Sequence, residues 1–235
     1  MNQQKNIAFI ICYFGKLPWY FNYFVHSCRF NSTVDFFIIS DDKTWTGELP
    51  GNVKIINNTL EEISDLASIK LDTPVNITYG YKLCDFKPAY GLIFSDILKY
   101  YDFWGHCDID IIFGNIRDFI TDDILNEHDL ISVRHDWLSG CFLLYKNNDK
   151  LNTLFKFSKD YKKVFCSDKH YCFDETNFAH DAFTEGRSYL DVETEIESMM
   201  HVAKKMEAAG YINPFFDFYI IEGLPGKLRW ENGKM

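Results

Sequence analysis

The sequence predicts an α/β fold, a mostly parallel sheet flanked by helices. Three observations lead there. Apolar runs of strand length, Lys5–Tyr13 and Val34–Ser40, have the pattern of strands buried on both faces. They alternate with stretches of helical periodicity, the β-α order that a parallel sheet requires. The chain has 235 residues, 47% of them hydrophobic, which excludes disorder. At that length it can hide roughly 70–75% of its extended surface. No internal repeat, low-complexity tract or Pro/Gly-rich linker interrupts it, so residues 1–235 are expected to form one domain.

The elements follow in order. Lys5–Tyr13 is the first strand. Pro18 stands in the first turn of a helix carrying Trp19, Phe21, Tyr23, Phe24 and Cys28. Val34–Ser40 is the second strand, ending at Asp41 and Asp42, and Val53–Ile56 is a short third. Thr59 and Glu62 form a capping box ahead of a helix bearing Ile63, Leu66 and Ile69. Pro88 opens a helix with Leu92, Ile93, Ile97 and Leu98 on its inner side, and Asp102–Cys107 then leads into Asp108-Ile109-Asp110. Strands are expected at Asp129–Val133, Cys141–Tyr145 and Phe216–Glu222, and helices at Asn148–Lys159, Glu175–Glu185 and Glu193–Ala209.

Charge narrows the function. Lys+Arg 24 against Asp+Glu 34 gives a net −10, and only five of the basic residues are Arg. Such a chain offers no phosphate-backbone footprint, so nucleic acid is excluded as the main partner. The N-terminal apolar run, Ile7–Phe14, lacks a small-residue cleavage site and falls well short of the ~20 residues that span a bilayer. A cytoplasmic protein is expected. The seven Cys fit a reducing compartment, since their number is odd and no CxxC occurs. Without secretion the sequons at Asn31, Asn57 and Asn76 have no consequence. Cys166, His170 and Cys172 have a spacing that could hold zinc, but no fourth ligand is evident, and Cys is commonly a small buried apolar residue.

Ligands of open α/β sheets bind beyond the carboxyl ends of the strands, so the residues there carry the chemistry. Asp108 and Asp110 stand two apart, and on an extended segment both carboxylates face one spot. Such a pair repels unless a proton or cation lies between its members, and hard oxygen ligands suit Mg²⁺ or Mn²⁺. A solvated acidic turn is the other account of D-x-D. Asp41 and Asp42 could accept hydrogen bonds from a nucleoside or simply form a turn. Lys87 would precede a helix start, where phosphate is favoured, or be a surface lysine. Gly140, after Ser139, could let a ligand approach the backbone or could shape a turn. Asp174-Glu175 could supply a general base, or Asp174 could cap a helix.

The ordered set resembles a family. IAFIICYFG, a second strand ending in SDD, CDFKPAYG, WGHCDIDIIFG, SGCFLLYKN and CFDE are similar, from about residue 5 to 185, to nucleotide-sugar-dependent glycosyltransferases of the GT-A type with a DxD motif. They are more narrowly similar to a group of uncharacterised bacterial proteins sharing that region. The resemblance implies a Rossmann-type nucleotide-binding half (about 1–115) and a smaller acceptor half (about 116–235). It implies that Asp108 and Asp110 hold Mn²⁺ or Mg²⁺ against the donor diphosphate, with Asp110 the direct ligand and Asp108 on the ribose or on a metal-bound water. Cys12, Tyr13, Phe14, Gly15 and Asp41 or Asp42 would clasp the nucleoside, Lys87 would meet the diphosphate, and Ser139 and Gly140 the sugar. Glu175 or Asp174 matches the acidic position that meets the acceptor. The implied partners are a UDP-sugar donor and a glycan or lipid-linked acceptor. A role in bacterial surface polysaccharide synthesis follows, and a lipid-linked acceptor would bring the protein to the inner face of the membrane. One feature departs from the pattern: many such enzymes add a late His to the metal site, and here the candidates are His201 and His180, or water. A nucleotide- or glycan-binding protein without turnover is the alternative. Haloacid-dehalogenase-like phosphatases are excluded, because they carry D-x-D at their first strand followed by Thr or Val, whereas here Ile111 and Ile112 follow it in mid-chain.

Overall fold

The computed structural model describes residues 4–222 and 226–234. Its strands are β1 (Ile7–Cys12), β2 (Val34–Ser40), β3 (Val53–Asn57), β4 (Phe103–Cys107), β5 (Leu130–Ser132), β6 (Phe142–Lys146) and β7 (Pro214–Phe216). All seven join one sheet in the order β3-β2-β1-β4-β6-β5-β7, so both halves of the chain share it. The pairs β3-β2, β2-β1, β1-β4 and β5-β7 are parallel, while β6 runs antiparallel to both β4 and β5. The expected mostly parallel sheet is present, with one reversed strand. That reversal positions the site: Cys107 pairs with Phe142, so the start of β6 lies beside the end of β4.

Successive strand residues face opposite sides, and each side has its own apolar layer. Ala8, Ile10, Trp104, Leu143 and Tyr145 face helices from Leu60–Leu71, Tyr90–Leu98 and Met199–Ala208. Trp104 and Tyr145 stack there with ring centroids 4.4 Å apart. Ile7, Phe9, Ile11, Phe36, Cys107 and Leu144 face the helix Phe21–Cys28 and the short helices Ile116–Phe119 and Asp122–Glu127. The latter two helices were not expected from the sequence.

The capping box of the Leu60–Leu71 helix forms as expected: Thr59 Oγ1 accepts from the Glu62 amide, and Glu62 accepts from the Thr59 amide. Several other expectations are corrected. Pro18 precedes its helix, which begins at Phe21, and Trp19, Tyr23 and Ile69 are exposed. Pro88 opens no α-helix but lies inside a 3₁₀ run, Gly80–Ala89. Side chains at i and i+3 eclipse in a 3₁₀ helix. Lys82 and Asp85 make such a pair, fully buried at 2.9 Å. The helix expected at Asn148–Lys159 breaks at Thr153 into Asp149–Asn152 and a 3₁₀ turn, Leu154–Phe157. The helix expected at Glu175–Glu185 is confined to His180–Thr184, because Asn177 and Phe178 have φ of 55° and 65°. Asp174 therefore caps no helix. The Asn177 side chain fixes that turn by donating to Tyr171 O and accepting from the Glu195 and Ile196 amides. Those amides, and that of Glu197 taken by Asp160, are lost to a helix, so Glu193–Ala209 is helical only over Met199–Ala208. The strand expected at Phe216–Glu222 is also corrected: the strand is Pro214–Phe216, paired with β5, and the two share only Phe216.

Candidate functional site

The site is built around one buried cation. Lys87 is 7% exposed, and its ammonium donates to Asp108 Oδ1 and to Gly140 O, each at 2.8 Å, with Asp174 Oδ2 at 3.6 Å. Burial opposes that charge, but the Asp108 carboxylate and its acidic neighbours outweigh it and hold the Lys87 pKa well above the ordinary lysine value. The expectation of a lysine at a helix N-terminus is thus corrected: Lys87 sits within the 3₁₀ run and ties β4's end to the start of β6. The Asp108 amide adds to that tie by donating to Cys141 O at 3.1 Å.

Asp108 and Asp110 lie just beyond β4. The strand stops at Cys107 and a bend takes Ile109 and Asp110, so strand alternation does not extend to Asp110. Asp108 is half-buried and Asp110 is exposed. Asp110 lies close enough to Tyr20 that its charge, after desolvation, raises the phenol's pKa. His106, two residues before Asp108, was missed in the sequence although it lies in the same WGHCDID run. Its Nδ1 is 3.1 Å from Gly140 O and donates to it, while its Nε2 is buried and finds no hydrogen-bond partner among the described residues. Burial, helped by Lys87, pushes its pKa far down, so the ring is neutral.

Gly140 is the point of closest approach. A Cβ there would lie 2.7 Å from Asp174 Oδ2 and 2.9 Å from Glu175 Oε1. The groups that need the missing side chain are therefore these two carboxylates, and the Gly140 amide donates to Glu175 Oε1 at 2.5 Å. Gly140→Ala is expected to destabilise by about 1–3 kcal/mol, as overpacking does. A thermal midpoint equal to that of the parent would contradict it. Ser139 is buried and its hydroxyl meets Cys141 Sγ at 3.0 Å.

The two acids differ. Asp174 is buried, and desolvation raises its pKa well above the ordinary carboxylate value, only partly offset by Lys87. For Glu175 burial also raises the pKa, but His180 and the Gly140 amide outweigh it, so this carboxylate stays ionised. His180 Nε2 lies 3.0 Å from Glu175 Oε2. A carboxyl whose folded pKa is raised keeps a proton that the unfolded chain has lost. Stability therefore falls as pH rises from the ordinary carboxylate value through the raised one. Unfolding measured across mildly acidic to neutral pH is expected to show that slope, and Asp174→Asn is expected to flatten it; an unchanged slope would refute the assignment.

The turn carrying these acids is held by Asp85, whose carboxylate accepts from the Tyr171 and Phe173 amides and from Lys82. The trio whose spacing could hold zinc, Cys166, His170 and Cys172, does not assemble. Cys166 Sγ turns to Pro74 O, and His170 Nδ1 lies 3.2 Å from Asp85. His201 is buried, with Nδ1 on Ser198 Oγ and Nε2 facing Val192 O, so both nitrogens are occupied and it is no metal ligand.

On the β1 side, Cys12 ends the strand, and burial pushes its thiol up to about 12. Tyr13 donates its amide to Ile39 O, and Phe14 packs against Gly80. Gly15 takes φ of 99°, a conformation that favours glycine, and its amide donates to Asp41 Oδ1 at 2.7 Å. Asp42 accepts from the Leu17 amide and from Thr44, and those bonds lower its pKa. Asp41 and Asp42 thus hold the loop after β1 against the end of β2. No helix among the described residues is long and apolar enough to cross a membrane.

A family described as "Family of unknown function (DUF6625)" matches residues 9–235. No curated protein matches the chain in sequence. Among solved structures, a galactosyltransferase, LgtC, in complex with donor and acceptor sugar analogs is similar with a TM-score of 0.36 and 13% identity, over 67% of this chain and 64% of that one. The chain therefore spans less than two thirds of that structure's length. Mouse xyloside xylosyltransferase 1, apo form, is similar with a TM-score of 0.38 and 10% identity, over 68% of this chain and 71% of that one. An active-site mutant of LgtC gives 0.36 and 11%, over 89% and 72%.

Proposed function

The chain belongs to the family of unknown function DUF6625, and from that premise we propose that it is a metal-dependent glycosyltransferase moving a sugar from a nucleotide-sugar donor, a UDP-sugar, to a glycan or lipid-linked acceptor. The observation that carries the reading is the convergence of Asp108, just beyond β4, with Lys87, Gly140 and Glu175 beside the facing start of β6, with Asp110 exposed two residues further on. This joins the likeness of WGHCDIDIIFG to the GT-A type DxD region.

The donor set fits Mg²⁺ or Mn²⁺. Lys87 engages Asp108 through Oδ1 alone, which leaves Oδ2 for a cation, and Asp110 is exposed. Two carboxylates completed by substrate phosphates and water are a common arrangement for such an ion. When bound there, the metal supplies Lewis-acid stabilisation of the charge that develops on the departing nucleoside diphosphate. Lys87 holds Asp108 in place and contributes a fixed positive charge behind it. Glu175, ionised and partly exposed, is the acid that meets the acceptor hydroxyl, and Asp174, buried beside Lys87, supports the wall behind Gly140. Gly15 and the Asp41 carboxylate shape the loop offered to the nucleoside.

The test is thermal unfolding with UDP, GDP, CMP and dTDP, each with and without Mn²⁺. Ligand at about 100 times its dissociation constant stabilises by about 2.7 kcal/mol. At this size that raises the midpoint by about 5–10 °C. A shift that needs both UDP and the metal is expected; no shift with any pair would overturn the reading. A binding protein without turnover is the second reading, favoured because both oxygens of Glu175 are already bonded. It predicts the same shift with no hydrolysis or transfer of a UDP-sugar.

A further inference from the structure

Cys172, Glu175 and His180 bring three different ligand atoms together, and of these residues only Glu175 is shared with the site described above. Cys172 Sγ lies 3.4 Å from Glu175 Oε2 and 3.9 Å from His180 Nε2, and the two latter atoms are 3.0 Å apart. Around a tetrahedral zinc ion, bonds of about 2.0–2.3 Å place neighbouring ligand atoms roughly 3.4–3.6 Å apart. All three separations fall within about 0.5 Å of those edges. A sulfur, a nitrogen and an oxygen suit zinc, whereas the hard oxygens of Asp108 and Asp110 suit Mg²⁺ or Mn²⁺. The geometry points to a binding site for Zn²⁺, or a divalent ion of similar character, on Cys172, Glu175 and His180, separate from the cation of the donor site.

The fold positions these ligands in advance. Asp85 fixes the amides on either side of Cys172, Cys172 itself has φ of 50°, and the Asn177 side chain closes the turn. Side chains eight residues apart in sequence meet as a result. The Trp137 ring packs edge-on against His180 at 5.2 Å between centroids and limits its rotation. The Glu175 carboxylate is further oriented by the Gly140 amide on its other oxygen, the kind of supporting bond that metal ligands commonly receive. The His180 and Glu175 side chains remain 33% and 22% exposed, which gives an ion a route in from solvent. On binding, the Cys172 thiol releases its proton to solvent as the sulfur–metal bond forms, the carboxylate and a ring nitrogen of His180 bind through lone pairs, and no oxidation state changes. The inference does not rest on the glycosyltransferase reading, because its ligand geometry involves neither Asp108 nor Asp110; the two share Glu175, whose carboxylate would not be free to meet an acceptor while it holds the ion.

The experiment uses the full chain, stripped with a chelator and titrated with Co²⁺ as the probe and then with Zn²⁺. One equivalent of Co²⁺ is expected to give a thiolate-to-cobalt charge-transfer band that an equivalent of Zn²⁺ abolishes. Cys172→Ser should remove the band, and His180→Gln should weaken binding at least about tenfold, since loss even of a supporting partner costs that much. Cys166→Ser should leave it intact, because Cys166 is exposed and faces Pro74 O. No band, a band that survives Cys172→Ser, or one lost with Cys166→Ser would overturn the site. If Cys172→Ser does not fold, unchanged Co²⁺ affinity in His180→Gln would overturn it alone.

Discussion

Asp110→Asn is expected to lower metal-dependent donor turnover about 10²–10³-fold while leaving thermal stability close to that of the parent. The carboxylate is exposed and makes no hydrogen bond or ion pair among the described residues, so the substitution removes a ligand without opening the core. A cation on a leaving diphosphate is worth several kcal/mol in the transition state, and each 1.36 kcal/mol is about a tenfold change in rate. The substitution keeps shape and size and takes away only the charge that a hard cation needs. Rates of UDP-sugar hydrolysis or transfer, measured across a Mn²⁺ titration, are the readout. Turnover equal to the parent's, with the same metal dependence, would remove D-x-D from the mechanism. The same variant is also expected to lose the metal-dependent part of the UDP thermal shift.

Lys87→Met is expected to act in the opposite way, through the fold first. The ammonium lies between Asp108 and Asp174 and also holds Gly140 O, with the ring of His106 bonded to that same carbonyl. Asp108 is 42% exposed and solvent compensates it in part, so losing the bonds of the ammonium to Asp108 and Gly140 O costs about 1–3 kcal/mol. For a chain of this size that lowers the midpoint by roughly 2–12 °C. The sign of the pH dependence follows from the raised Lys87 pKa. Its contribution is fully present below the ordinary lysine value and is lost only as pH climbs through the higher folded value, so the deficit of the variant should be undiminished at neutral pH. Urea unfolding at pH 7 is the direct check. A loss below about 1 kcal/mol would mean that Lys87 is held less tightly by its carboxylates than its contacts indicate.

The sheet was legible because its strands are written locally. Continuous apolar runs at Ile7–Cys12 and Val34–Ser40 can be buried only with both faces covered, and the Thr59–Glu62 capping box names a helix start within four residues. The second half was less legible for a definite reason. Its backbone amides are taken by side chains distant in sequence: Asn177 binds the Glu195 and Ile196 amides, Asp160 that of Glu197, and Asp85 those of Tyr171 and Phe173. No window of local periodicity contains such bonds, so helices drawn there run too long. The 3₁₀ run around Lys87 was hidden similarly, because Lys82, Asp85 and Lys87 read as surface polar residues until their burial is known.

For the candidate site, the residue types were readable ahead of any fold: acids after the second strand and after Cys107, a lysine between them, and a glycine and an acid pair later in the chain. These residue types are fixed by composition and by their place at strand ends. The tertiary structure alone decided how they are used. It turned Lys87 inward to a carboxylate 21 residues away, tied Asp41 and Asp42 to the backbone of the β1 loop, and reversed β6 so that Gly140 meets Asp174 and Glu175. It took His201 out of contention and joined Cys172 to His180 instead of to Cys166 and His170. The physical reason is range. Strand and helix propensity act over a few residues, whereas the pairing of a buried charge is settled by whichever opposite charge the packed sheet brings within about 4 Å, and nothing local in the chain encodes that distance.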